Sequence, residues 1–207
     1  MLFRSGESPL MVVMSNKMPQ RTLAEVAAAA RERPADWTVA TSGLGSAGHI
    51  ASIELRNAAK AELTISPYRG TAPALIDIIG GHVQLLIDSI ITLLPPAREG
   101  KIKALAISSA KRTALAPDVP TAVESGMPSL EFTSWFGFFG PSGVPEPIVA
   151  KLNTAFNRSV AQLAEENRLA PLGVEPVAET PEEFARFVRS QAARYGKLLQ
   201  EAGVKPQ

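Results

Sequence analysis

The chain has 207 residues, with 21 Lys and Arg against 20 Asp and Glu, two His and no Cys. At roughly 150 residues per domain it holds one large or two small domains, and its 45% hydrophobic content is enough to bury a core. A net charge of +1 gives no global field for nucleic acid or an anionic membrane, and the lack of Cys excludes disulfides, thiolate catalysis and Cys-ligated metal clusters.

No apolar run approaches the roughly 18 residues of a spanning helix. The N-terminal stretch Met1–Pro9 lacks an apolar core, so no secretory signal is expected in the chain as written. Leu10–Ser15 is a short apolar run that reads as a buried strand. Thr22 with Glu25 forms a capping box, and the Ala-rich stretch to Arg33 is a helix stopped by Pro34. Trp37–Thr41 reads as a strand, Ser42–Gly48 as a glycine-rich turn, and the following residues as a helix to about Ala59. Leu63–Ser66 is a strand ended by Pro67, and Thr71–Ile79 a helix stopped by Gly80 and Gly81. Val83–Ile87 is a strand, a short helix ends near Gly100, and Lys103–Ser108 is a strand again.

This alternation of strands and helices with short connections predicts an α/β fold with a mostly parallel, three-layer sheet. Past Asp118 the rhythm changes. Thr121–Ser125 reads as a helical turn, Phe132–Phe139 as a long aromatic strand, and Val174–Val177 as one short strand between two amphipathic helices, Glu146–Ala164 and Pro181–Ala202. Those helices need an apolar surface to cover, and the C-terminal part of the chain supplies hardly any sheet for them.

The turn Gly43-Leu44-Gly45-Ser46-Ala47-Gly48 fits the G-x-G-x-x-G pattern, follows a strand and opens a helix. Arg69 stands beyond the next strand, where an NADP-dependent oxidoreductase would hold a 2′-phosphate. Against that alternative, Glu62 falls before the second strand instead of at its end, Pro67 and Gly70-Thr71 occupy the ribose position, and a strand and helix already precede the fingerprint.

What remains of the turn is its anion chemistry. Glycines allow close backbone approach, free N–H groups at a helix start attract negative charge, and Ser42 and Ser46 add hydroxyls. Thr71 opens a second helix after the next strand, with Tyr68, Arg69 and Gly70 beside it. In a parallel sheet both turns lie at the carboxyl ends of neighbouring strands, a site for a small carboxylate or phosphate. His49, on the first turn of its helix, is either a donor to that ligand or a satisfied helix-start His. Asp88, at the end of a strand on the same edge, accepts from a ligand or caps the next helix. Trp135, in an aromatic run, belongs to the core or lines the cleft. No G-x-S-x-G elbow, metal-ligand spacing, paired carboxylates or nucleophile–base pair is present, so the chain is read as a non-enzyme without cofactor or metal.

The segments Thr41–His49, Pro67–Ala74 with Asp77 and Gly80-Gly81, Pro117–Thr121 with Glu124–Gly126, Ser134–Gly137 and Ile148–Asn153 occur together in one family. With them, from about Ser8 to its C-terminus, the chain resembles the TctC/Bug-type extracytoplasmic solute-binding receptors of tripartite tricarboxylate transporters. The resemblance implies a two-lobed, type II periplasmic-binding-protein-like fold that closes on a small organic anion, such as a di- or tricarboxylate or an acidic amino acid, and delivers it to membrane permease subunits. It assigns ligand contacts to Ser42, Gly43, Gly45, Ser46, His49, Tyr68, Gly70, Thr71 and Ala72, with Asp88 and Trp135 as further candidates. Residues 9–132 are then expected to form the ligand-facing lobe, and residues 133–207 a crossover strand and C-terminal helices of an incomplete first lobe. The resemblance implies a signal peptide and a further N-terminal stretch ahead of the matched segments, so the chain as written is expected to be N-terminally truncated. Truncation is therefore expected to weaken ligand binding, and the C-terminal helices to expose apolar faces or pair as a homodimer. The resemblance implies a periplasmic location.

Overall fold

The computed structural model describes residues 3–204, so Met1 and Leu2 of the N-terminal stretch lie outside the described residues. The chain divides into two compact units, a larger one over Pro9–Thr133 and a smaller one formed by Met1–Ser8 with Ser134–Gln207. One long strand, β1 (Phe3–Ser15), supplies residues to both.

The larger unit is built on a mixed, mostly parallel sheet. After β1 come α1 (Leu23–Glu32), β2 (Thr38–Thr41), α2 (Ala47–Ala59), β3 (Thr64–Pro67), α3 (Thr71–Gly80), β4 (Leu85–Ser89), α4 (Ile90–Arg98) and β5 (Ile102–Ile107). The strand order is β3-β2-β4-β1-β5. β2 pairs in parallel with β3 and β4, and β1 runs antiparallel between β4 and β5. Every residue of β1 from Ser8 to Ser15 is buried, which explains why so short an apolar run can serve as a central strand. The mostly parallel sheet follows from strand–helix alternation; the antiparallel β1 does not, because it depends on a partner strand more than seventy positions away.

One sheet face carries Met11, Val13, Ala40 and Leu86, packed with Ala74 and Ile78 of α3 and Ile90, Leu93 and Leu94 of α4. Alternate positions such as Val12, Val39 and Ile87 turn to the opposite face. Helix starts are chemically set. Thr22 Oγ1 accepts the Glu25 N–H at 3.2 Å, while Glu25 reaches back to the Arg21 N–H at 2.7 Å. Helix α4 contains Pro95 and Pro96 instead of stopping at them. The carbonyls they leave unmet include those of Ile91 and Thr92, both exposed residues, so water can satisfy them. Residues 121–125 form the expected single helical turn, closed by the Ser125 N–H on the Thr121 carbonyl at 3.0 Å, and Thr121 and Glu124 exchange reciprocal capping bonds of 3.0 and 2.7 Å. Gly126, at φ +82°, ends it.

The smaller unit contains the first residues of β1, β6 (Thr133–Phe138), α5 (Glu146–Glu165), β7 (Glu175–Pro176) and α6 (Pro181–Glu201). β6 and β7 both pair with β1, with Gly6 opposite Pro176. Alternation along β6 sorts its aromatics. Phe138 stacks on Phe3 and on Phe156 of α5, at 4.9 and 5.1 Å. Trp135 meets Phe184 and Phe187 of α6 edge-on, at 5.9 and 5.5 Å. Gly137 lies against the Phe184 ring, where a Cβ would collide with it. Arg4 sits over the Phe187 ring at 3.8 Å and reaches Glu7 and Glu179, each at 3.3 Å.

Candidate functional site

In the larger unit the turns after β2 and β3 are bonded to one another. Beyond the parallel ladder, the Tyr68 N–H donates to the Thr41 carbonyl at 2.8 Å and the Gly70 N–H to the Ser42 carbonyl at 2.9 Å. The starts of α2 and α3 are therefore held side by side at the carboxyl edge of the sheet. Among the described residues, the amide N–H groups of Ala47, Gly48, Thr71 and Ala72 donate to no protein acceptor. These are the unpaired first-turn donors of two helices, and they carry partial positive charge.

The first turn is shaped by its own side chains. Ser46 caps α2: its Oγ accepts the His49 N–H at 3.1 Å and pairs with Thr41 Oγ1 at 3.0 Å. The Ser46 hydroxyl is thus absorbed into the cap, whereas the Ser42 hydroxyl is bonded to no group among the described residues. Gly45 has φ +74°, and its N–H donates to His49 Nδ1 at 3.0 Å. Gly48 brings α2 onto β4 so closely that a Cβ would collide with the Ile87 carbonyl oxygen. Gly43 is half-buried beside the Tyr68 backbone. His49 is 5% exposed, and burial first, then the positive charge of Arg56, push its pKa down.

The second turn is tied to the sheet and to α3. Gly70, at φ +99°, precedes α3, whose exposed second residue is Ala72. The Tyr68 hydroxyl donates to Asp77 Oδ2 at 2.6 Å; burial, this hydrogen bond and the Asp77 charge together push the phenol up to about 12. The Thr71 hydroxyl donates to Asp88 Oδ2 at 2.6 Å, and Asp88 Oδ1 accepts the Ser89 N–H at 2.8 Å. One carboxylate therefore spans the starts of α3 and α4, leaving the start of α2 without a protein carboxylate of its own among these bonds.

The structure brings together Ser42, Gly43, Gly45, Ser46, His49, Tyr68, Gly70, Thr71, Ala72 and Asp88 within the larger unit, while Trp135 belongs to the smaller one. Asp77 and Thr41 shape the site and are not among the ligand contacts expected from the sequence, and Gly48 shapes it as well. Asp77 lies nine positions beyond a loop tyrosine, a spacing with no periodic signature; the roles of Thr41 and Gly48 come from contacts with Ser46 and Ile87. No group of His, Asp and Glu suited to a metal ion occurs among the described residues.

Comparison with known proteins places the chain among transporter receptors. The family described as the tripartite tricarboxylate transporter family receptor, TctC, matches residues 4–204. A Pseudomonas protein described as a UPF0065 protein in the tcbD-tcbE intergenic region is 34% identical over 194 residues, covering 93% of this chain and 58% of that protein. The R. palustris protein Rpa4515, solved with adipate, matches with TM-score 0.86 and 32% identity, over 100% of this chain and 69% of that one. MatC from Rhodopseudomonas palustris, solved with bound malate, matches with TM-score 0.77 and 34% identity, over 95% of this chain and 68% of that one. The chain thus spans somewhat more than half the length of the first curated relatives it matches. The family is one of transporter receptors, and solved relatives described as periplasmic or solute-binding proteins are binding proteins and not enzymes, so the matches lend no support to the NADP-dependent alternative for the Gly43–Gly48 turn. Solved relatives include periplasmic binding proteins.

Proposed function

Because the chain belongs to the TctC family of tripartite tricarboxylate transporter receptors, we propose that its paired turns hold a small organic carboxylate for delivery to the permease subunits of such a transporter, outside the cytoplasm. The observation that carries this reading is the bonding of Tyr68 and Gly70 to Thr41 and Ser42, which fixes two sets of unpaired helix-start amides at one edge. A carboxylate at the start of α2 would accept from the Ala47 and Gly48 amides and from the Ser42 hydroxyl. Asp88, already engaged with Thr71 and Ser89, disfavours a second anionic group beside it and suits a ligand hydroxyl or ammonium there. Adipate and malate, held by two similar proteins, set the size range. In this reading residues 9–132 are the ligand-facing lobe and residues 133–207 belong to the other lobe.

The chain spans 58% of its Pseudomonas relative, so we expect these residues alone to hold the acid weakly. Calorimetric titration with adipate, malate and NADPH tests the reading. Millimolar binding of a dicarboxylate, with no NADPH fluorescence enhancement, supports it. NADPH binding in place of any carboxylate overturns it, and micromolar dicarboxylate binding overturns the expectation of a weakened grip. A homodimer through the smaller unit is a second element of the proposal, favoured by the exposure of Phe136, Phe139 and Ile148 there, at 48%, 55% and 50%.

A further inference from the structure

We infer that His49 is a positioning residue that latches the tip of the glycine turn through its Nδ1 atom, instead of serving as the ligand's own donor; the inference rests on the reading of this turn as a carboxylate site. The tip has little else to hold it. Leu44 is 57% exposed, Gly45 is exposed, and a Cβ placed on Gly45 would meet nothing within 4 Å. Its internal bond, from the Ser46 N–H to the Gly43 carbonyl, is long at 3.3 Å. The imidazole is the opposite kind of element: buried, and fixed at its backbone by the Ser46 cap at 3.1 Å. A 3.0 Å bond from the Gly45 N–H to His49 Nδ1 therefore ties an exposed tip to a rigid point.

The chemistry of this bond restricts the ring. A backbone amide can only donate, so Nδ1 must present its lone pair, and the imidazole is neutral with its proton on Nε2. Burial and Arg56 favour that neutral form. The left-handed Gly45 conformation and the latch then act together: the first makes the bend accessible, the second selects it before ligand arrives. Pre-ordering matters because a turn that must be ordered on binding subtracts that cost from affinity.

Three measurements on the 207-residue chain test this. Nitrogen-15 spectra of the unmodified protein should show His49 protonated at Nε2; an Nδ1-protonated ring overturns the inference without any ligand present. His49→Asn places an acceptor oxygen near the Nδ1 position but has no group at Nε2, whereas His49→Phe keeps the ring and accepts nothing. Amide exchange at Gly45 should stay close to that of the unmodified protein in His49→Asn and quicken roughly three- to tenfold in His49→Phe, the equivalent of about one net hydrogen bond. Adipate and malate affinities should follow the same order. Equal losses in both variants would mean that Nε2 contacts the ligand directly, and would overturn the latch. If the unmodified chain binds neither acid, the proposed carboxylate site fails on its own account, while the ring tautomer and the exchange rates still decide the latch.

Discussion

The two units reach order by different means. In the larger unit the apolar side chains of β1, β2 and β4 are almost all excluded from solvent, and four helices cover them. Among the described residues of the smaller unit, Phe3, Phe184 and Leu198 are the buried apolar side chains, while Phe136, Phe138, Phe139, Ile148 and Leu172 are exposed. The smaller unit relies instead on stacked rings and on Arg4, whose side chain is 14% exposed and is shared between Glu7 and Glu179. A layered core tolerates local change because many residues share each contact. A unit resting on a few rings depends heavily on each of them.

Phe184→Ala should separate the two most strongly. This ring is fully buried against Trp135, Phe139 and the Gly137 backbone, and its loss should cost about 3–5 kcal/mol. Hydrogen exchange should then show the α6 and β6 amides losing protection while those of β2 and β4 keep theirs. Equal loss in both sets would mean that the units unfold as one, and the contrast drawn above would fall.

Gly48→Ala applies the same test to the larger unit. The added methyl group collides with the Ile87 carbonyl, an atom fixed in β4, so α2 must shift at its start. We expect about 1–3 kcal/mol of destabilisation. Carboxylate affinity should fall as well, because the displaced amides are the proposed donors. A lowered melting temperature with unchanged adipate and malate binding would separate the α2 start from the ligand.

Legibility in the sequence follows the same divide. β2, β4 and β5 and the four helices of the larger unit are readable because burial and regular turn residues leave a local signal, and β3, a partly exposed edge strand, is readable from the proline that ends it. The first residues of β1 are not. Arg4, Ser5 and Glu7 carry no strand pattern of their own, since the partner that allows Arg4 to be buried, Glu179, lies 175 positions away. Within the site, the glycine turn can be read from spacing alone, whereas the Ser46 hydroxyl, expected to serve the ligand, is taken up by the cap of α2. The engagement of Tyr68 with Asp77 and of Thr71 with Asp88 cannot be read so, because each joins residues from different elements whose approach only the fold creates. The ambiguity of His49 was of the same kind: its position on the helix was legible, but the direction of its Nδ1 was not.

A smaller effect on stability is expected from Phe136→Ser combined with Ile148→Ser. These side chains are 48% and 50% exposed, so the change in folding free energy should stay within about ±0.5 kcal/mol for each substitution. What should change is surface behaviour: less hydrophobic-dye binding and, if copies associate here, a shift from dimer to monomer in sedimentation. An unmodified protein that is monomeric and binds no dye would remove the smaller unit's exposed apolar face from the account.

The finest contrast comes from acid. His49, in the larger unit, has a folded-state pKa below its ordinary 6.5, so the unfolded chain takes up a proton more readily. Its contribution is complete above pH 6.5, diminishes as pH falls toward the lowered value, and changes no further below it. His49→Asn should remove this slope from melting curves recorded across that window. Glu183, at the start of α6, behaves differently: backbone and side-chain hydrogen bonds from Thr180 hold its carboxyl below the ordinary 4.5. The stabilisation it gives is present above pH 4.5 and is lost as pH falls through the lowered value. Acid should therefore act on the larger unit first through the latch and on the smaller unit later through its cap. Exchange measurements that show α6 loosening before the Gly45 turn would contradict that order.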